Sequence, residues 1–243
     1  MAMLTGQKII VVGGGSGIGL GVARAALDNG GEVVIVGRSP DKLRAAEQSL
    51  DAGLQVRSVV ADMTEEADLD RLFRNAGAFD HLVSTAGTPP PADPIEGTDM
   101  AMVRRFVDNK LIGAVVLAKH AVVTLRRDGS MTFTSGINKD RPPVPGGAVV
   151  SAIAGSFSFF ARALALELAP RRVNIVSPGW VDTPMWDEIV GEAKTGFFTD
   201  MADRLPVGRI ATPADIAPAY LYLMASAFTT GETIHIDGGH GLI

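Results

Sequence analysis

The residues best placed for chemistry lie near the N-terminus, where "VVGGGSGIGLG" holds Gly13, Gly17 and Gly19 in a G-x-x-x-G-x-G spacing, with Gly15, Ser16 and Ile18 between them. Glycine in such a turn permits a tight reversal and lets backbone N–H groups approach a pyrophosphate held at the positive end of the following helix. Further on, "IVGRSPDKL" sets Arg38 and Ser39 at the end of an apolar run. A dinucleotide site that binds a ribose 2′-hydroxyl carries an acid there, about 20 residues past the glycines. An acid would repel a 2′-phosphate, whereas Arg38 offers it a charge-assisted bidentate contact, with the Ser39 and Ser16 hydroxyls as further donors. These residues predict NADP(H) in preference to NAD(H). Two alternatives stay open: a glycine turn without a ligand, and an arginine that points to solvent. The turn's setting, after a strand and before an amphipathic helix, weighs against the first.

The remaining inventory excludes several kinds of chemistry. There is no cysteine, so no disulfide, thiolate nucleophile or thiolate metal site can form. The four histidines, at 81, 120, 235 and 240, lack ligand spacing, and no metal is expected. Lys and Arg number 22 against 27 Asp and Glu, a net charge of −5, which argues against a nucleic-acid partner. The expected partner is a small-molecule substrate or none. No apolar stretch is expected to reach the length of a membrane span, and "MAMLTGQKII" carries no signal-like segment, so a cytoplasmic protein is expected.

The elements that must position these residues follow from periodicity. Short runs rich in Val and Ile, "KIIVVG", "EVVIVG", "QVRSVVA", "HLVSTAG", "SMTFTSG", "RVNIVSPG" and "TIHIDGG", alternate with segments of helical period near 18–29, 41–50, 65–76, 99–126, 148–169 and 213–225. Runs apolar on consecutive residues belong to strands covered on both faces, which implies a parallel sheet. The pattern predicts an α/β, doubly wound Rossmann fold of about seven strands in a single domain over 1–243, with ligands at the carboxyl ends of the strands. The segment 184–208 carries Met185, Trp186, Phe197, Phe198 and Met201. It is either a pair of surface helices burying one apolar face or a lid over an apolar substrate. Proline-rich loops at 88–94 and 141–147 would form stiff walls.

The chain resembles the short-chain dehydrogenase/reductase family along nearly its whole length. The glycine turn is similar to the family's TGxxxGIG. Asp62 in "VVADM" corresponds to its adenine-contacting acid, with Met63 beside it. "STAG" resembles the family's NNAG, keeping Ala86 and Gly87 and replacing both asparagines. Asn109 matches the family's helix asparagine and Ser135 its substrate-orienting serine. "VSPGWVDTPM" resembles the motif that packs around the nicotinamide, with Pro178, Gly179, Val181 and Thr183.

The resemblance also implies Tyr-x-x-x-Lys on the helix after the fifth strand, where the lysine holds the nicotinamide ribose and lowers the tyrosine pKa for proton transfer. Aligned backward from "ALALELAP", those positions hold Val150 and Ala154, and the only tyrosines are Tyr220 and Tyr222. Lys139 and Asp140 either reach the pocket rim or belong to a solvated loop. Lys110 either enters the ribose region or lies on the helix surface. Ser135 and Asn109 remain as remnants of the site, and the spacing from Ser135 to Val150 is about two residues longer than the resemblance implies. The expected function is an NADP(H)-dependent oxidoreductase acting on a small apolar carbonyl or alcohol. The alternative is a non-catalytic NADP(H)-binding regulator or sensor. The resemblance further implies a homodimer or homotetramer built on the segments 99–126 and 148–169, in which Phe157, Phe159 and Phe160 serve either core or interface.

Overall fold

The two-residue period of the pleat sends successive side chains of a strand to opposite faces, so a run of consecutive aliphatics needs cover on both sides. The computed structural model, which describes residues 2–243, supplies that cover. On β1 (Lys8–Val12) and β2 (Glu32–Gly37), Ile10, Val12, Val34 and Val36 enter one hydrophobic cluster while Ile9, Val11, Val33 and Ile35 enter the other. The remaining strands are β3 (Val56–Val60), β4 (Phe79–Ser84), β5 (Leu125–Thr134), β6 (Arg172–Pro178) and β7 (Thr233–Ile236). They form one sheet in the order β3-β2-β1-β4-β5-β6-β7. Every pairing is parallel. The Rossmann-type α/β architecture expected from the periodicity is the one observed.

One face is covered by α1 (Gly17–Asp28), α2 (Pro40–Leu50) and α9 (Pro213–Ala225). The other carries α3 (Glu66–Ala76), α5 (Gly113–Ala121) and α6 (Ala148–Glu167), and α4 (Met100–Val107) leads into α5. Between β6 and α9 lie two short helices, α7 (Met185–Val190) and α8 (Lys194–Arg204). The strand order reverses between β1 and β4, and the crevice outside their carboxyl ends is where this topology binds ligands.

Two expectations need correction. The helix expected over 99–126 is interrupted by a π turn at Asp108–Ile112 and ends at Ala121, and Leu125 instead opens β5 opposite Phe79. The charged run that follows is drawn onto the strand, where Arg126 Nε pairs with Asp80 Oδ1 at 3.1 Å. Second, α6 is by length and composition able to cross a membrane, with a mean hydropathy of 1.7 over 18 residues, contrary to the expectation that no stretch reaches that length. Its composition has a packing cause. Val150, Ala154, Phe157, Ala161 and Ala165 form a buried stripe, in which Phe157 joins Phe133 and Phe160 in an aromatic cluster.

Candidate functional site

The glycine turn leads from β1 into α1, with Ser16 at the helix N-cap making no side-chain capping bond. Its crowding explains the residue type. Gly13 has φ +85°, and a Cβ there would lie 2.7 Å from the Ala86 nitrogen. A Cβ on Gly19 would overlap the Gly13 carbonyl oxygen. Gly17 faces Thr183, whose Cγ2 lies 3.2 Å from where a Cβ would stand, so the loop after β6 sits over the turn. The first backbone N–H groups of α1 have no partner within the helix and Ser16 does not cap them, which suits the approach of an anion.

Beside the turn runs a groove lined by Val12, Gly13, Gly37, Arg38, Ala61, Asp62, Met63, Ala86, Gly87 and Asn109. Arg38 stands exposed at its rim, 3.9 Å from Asp62 Oδ2. Asp62 is held in place because its carboxylate accepts from the Thr64 nitrogen at 2.9 Å and the Thr64 hydroxyl at 2.8 Å. Ser39 caps α2 by accepting from the Lys42 nitrogen at 3.3 Å, which leaves its own O–H to donate. Met63 is buried, packed where a Cβ on Gly113 would otherwise sit. Thr85, which the sequence did not mark, ties the two strands that flank the crevice. Its nitrogen donates to Val12 O at 2.8 Å and its hydroxyl to the same oxygen at 3.2 Å. Beyond β6, Gly179 donates to Ile236 O at 3.0 Å and Val181 is buried against a bridge to Ala211, which holds the Pro178–Gly179 corner rigidly.

On α6, Val150 is 8% and Ala154 7% exposed. Ser135, just past β5, donates its hydroxyl to Ala154 O at 2.7 Å, so the serine is tied to the helix backbone. Neither tyrosine reaches this place. Tyr220 is fully buried with its hydroxyl 2.6 Å from Thr134 Oγ1, and burial pushes its phenol well above the ordinary range. Tyr222 is exposed and bonds Thr229. Lys139, Asp140 and His235 satisfy one another, with His235 Nε2 3.0 Å from Asp140 Oδ2. Burial opposes ionisation of Asp140, but its bonds to Lys139 and His235 hold its carboxyl below the usual range, so it has no proton to give near neutral pH.

This architecture has many known counterparts. A family model described as Enoyl-(Acyl carrier protein) reductase matches residues 12–241. The short-chain dehydrogenase/reductase malC of Malbranchea aurantiaca is 31% identical over 98% of this chain and 95% of its own length. The chain belongs to the short-chain dehydrogenase/reductase family. Among solved structures, the MalC reductase/Diels-Alderase from the same organism superposes with a TM-score of 0.91 at 30% identity, covering 100% of this chain and 99% of that one. A small-chain dehydrogenase in complex with NADPH superposes with a TM-score of 0.81 at 31% identity, covering 98% and 99%.

Two features of this family member were not fixed by its motifs. Asn109 lies on the groove wall with its amide donated back to Arg105 O at 2.8 Å. It is the next residue, Lys110, that turns inward. Its ammonium lies 3.5 Å from Ala86 O and 5.5 Å from the Phe157 ring centroid, and burial pushes its pKa down to about 8. The second feature is an aromatic cluster beyond β6. Trp180, which follows Gly179, lies 4.9 Å from Trp186 and 5.3 Å from Phe197 between ring centroids, and donates its indole N–H to His240 Nδ1 at 3.2 Å. The segment 184–208 is thus a helix pair that buries its aromatic side on Trp180, next to the Pro178–Gly179 corner.

Proposed function

We propose that the chain is an NADP(H)-dependent oxidoreductase for a small apolar carbonyl or alcohol, in which Val150 and Ala154 stand where the family carries its Tyr and Lys. The observation that carries the cofactor half is Arg38 at the rim of the groove beside the open α1 N-terminus, with no carboxylate at the end of β2. The residues fit a 2′-phosphorylated dinucleotide. The glycine turn leaves the phosphate approach clear, Arg38 and the Ser39 and Ser16 hydroxyls are donors for the 2′-phosphate, and Asp62, Met63, Ala86 and Gly87 line the path between. Pro178, Gly179, Val181, Thr183, Gly15 and Ile18 shape its walls. When bound, the nicotinamide supplies or accepts a hydride; this chain's residues bind, orient and exclude water. The Trp180, Trp186 and Phe197 rings support an apolar substrate, with α7 and α8 as its lid.

A second reading has its own support: the Ser135 hydroxyl is donated to Ala154 O, and neither tyrosine stands beside it, since Tyr220 bonds Thr134 and Tyr222 bonds Thr229. A positioned general acid is worth about 10²–10⁴ in rate, so its loss leaves slow turnover or a binder that senses NADP(H). Titration with NADPH and NADH, followed by NADPH oxidation over a panel of ketones, quinones and enones, separates the two. Arg38→Ala is expected to weaken NADPH about tenfold or more and to leave NADH unchanged, since it removes a charge-assisted contact to the 2′-phosphate alone. Equal loss for both nucleotides would contradict the NADP(H) assignment. NADPH binding without turnover across the panel would favour the sensor.

A further inference from the structure

We propose that Lys110 anchors the nicotinamide-side ribose of the bound cofactor, doing from the π turn between α4 and α5 what the family's lysine does from α6. The inference rests on the NADP(H) reading above and assigns it a residue on a different element.

The Lys110 ammonium lies 3.5 Å from Ala86 O, and a Cβ on Gly87 would lie 3.8 Å from it. Both residues follow β4, one of the two strands that bound the crevice at the reversal of strand order. The ammonium also lies over Phe157, on the same buried stripe of α6 as Val150 and Ala154 and one turn beyond Ala154. Lys110 therefore reaches, from the opposite wall, the neighbourhood that a lysine rooted at 154 would serve.

The Lys110 ammonium is also short of partners. It has three N–H donors. Among the described residues its one hydrogen bond is to Ala86 O, at the outer limit of such a contact, and no carboxylate forms an ion pair with it. A partly buried cation without an anion is costly unless a ligand completes its shell, and burial has already lowered its pKa to about 8. The vicinal hydroxyls of a ribose are acceptors that two free donors can serve together.

A π turn inserts one residue into a helix and is frequent at functional sites. Here it spans Asp108–Ile112 with Lys110 at its centre. Each helical residue advances about 100° around the axis, so without the insertion Lys110 would not share its present face with the residues before the turn.

The test compares NADPH with adenosine 2′,5′-bisphosphate, which carries the adenosine and both of its phosphates but lacks the nicotinamide ribose. Lys110→Met keeps the length of the side chain and removes its charge. The variant is expected to bind NADPH about 10- to 100-fold more weakly in a fluorescence titration, the range for losing hydrogen bonds to a charged donor. The bisphosphate, measured by calorimetry, should keep its affinity to within about twofold, which also reports an intact fold. Unchanged NADPH affinity would overturn the inference while leaving the NADP(H) reading intact. Equal loss of both ligands would overturn it in favour of a structural lysine. Failure of the wild-type chain to bind either ligand would overturn the NADP(H) reading itself, and the inference with it.

Discussion

Val150 and Lys110 together pose a sharper question than the missing Tyr-Lys pair did. If the ammonium is already in the cleft, the proton donor is the one part that must be restored. Val150 sits on the buried stripe of α6 one turn before Ala154, whose carbonyl accepts the Ser135 hydroxyl, so a tyrosine there starts one turn from the point where Ser135 meets the helix. Val150→Tyr alone is then expected to raise carbonyl reduction, by up to the 10²–10⁴ or so that a positioned acid supplies, followed by the loss of NADPH absorbance over the same panel. Adding Ala154→Lys should bring little more, because a second ammonium would compete with Lys110 for the same space. Lys110→Met in the Val150→Tyr background should cancel the gain. Activity that appears only in the Val150→Tyr, Ala154→Lys double variant would show that Lys110 does not assist the phenol. Tyr220 is no substitute at any ordinary pH, since burial in the core beside Thr134 keeps its phenol protonated.

Among the elements, β4 is held to its neighbours by a buried polar stitch as well as by apolar packing. His81 accepts the Ser130 hydroxyl at Nδ1, 2.8 Å away, and donates from Nε2 to Gln7 Oε1 at 2.9 Å, so the neutral ring ties β4 to β5 and to the entry of β1. Burial, with the Arg172 charge, lowers its pKa from 6.5 to about 4. The unfolded chain therefore binds more protons than the folded one between those values. Stability is full above pH 6.5 and falls as the pH drops toward 4, by up to about 3 kcal/mol. Urea unfolding at pH 7 and pH 5 should show the loss, and His81→Gln should flatten the difference even if it lowers both values; an unchanged slope in the variant would place the effect elsewhere. Such stitches are hard to read from a sequence. The seven strands were legible because β1 and β2 carry aliphatics on consecutive residues, and the glycine turn with Arg38 was legible because few other roles need that order. The π turn was not: one inserted residue leaves the apolar count of the segment unchanged, yet it sets Asn109 on the groove wall and brings the Lys110 ammonium to Ala86 O. The Thr85 brace was hidden as well, since a threonine that replaces a motif asparagine shows its function only through the 3.2 Å bond to Val12 O.

For the whole molecule, the notable surface is the one outside α5 and α6. Ile112, Val115, Phe159 and Leu166 are 47%, 44%, 73% and 83% exposed on the side of the sheet those helices cover, while Phe157 of the same helix is buried. A contiguous apolar patch of this kind marks an interaction surface, and we propose that these four side chains contribute to one. A second copy of the chain applied there would form a closed, isologous contact, which gives a homodimer, or a homotetramer if a second surface also pairs. Stable pairs of this kind bury roughly 1,200 Å² or more, within reach of two helices per subunit. Light scattering is expected to report a dimer or tetramer that persists on dilution. Phe159→Glu with Leu166→Glu should shift it to monomer, because four added carboxylates would meet across the axis of a dimer with no partner charge. The same variant should melt earlier while adenosine 2′,5′-bisphosphate still binds, because the charges lie on the side of α6 away from the Val150–Ala154 stripe. A wild-type chain that scatters as a monomer at every concentration would leave α6 apolar on its outer face for some other reason, and would remove the assembly from the account of how that helix is held against the site.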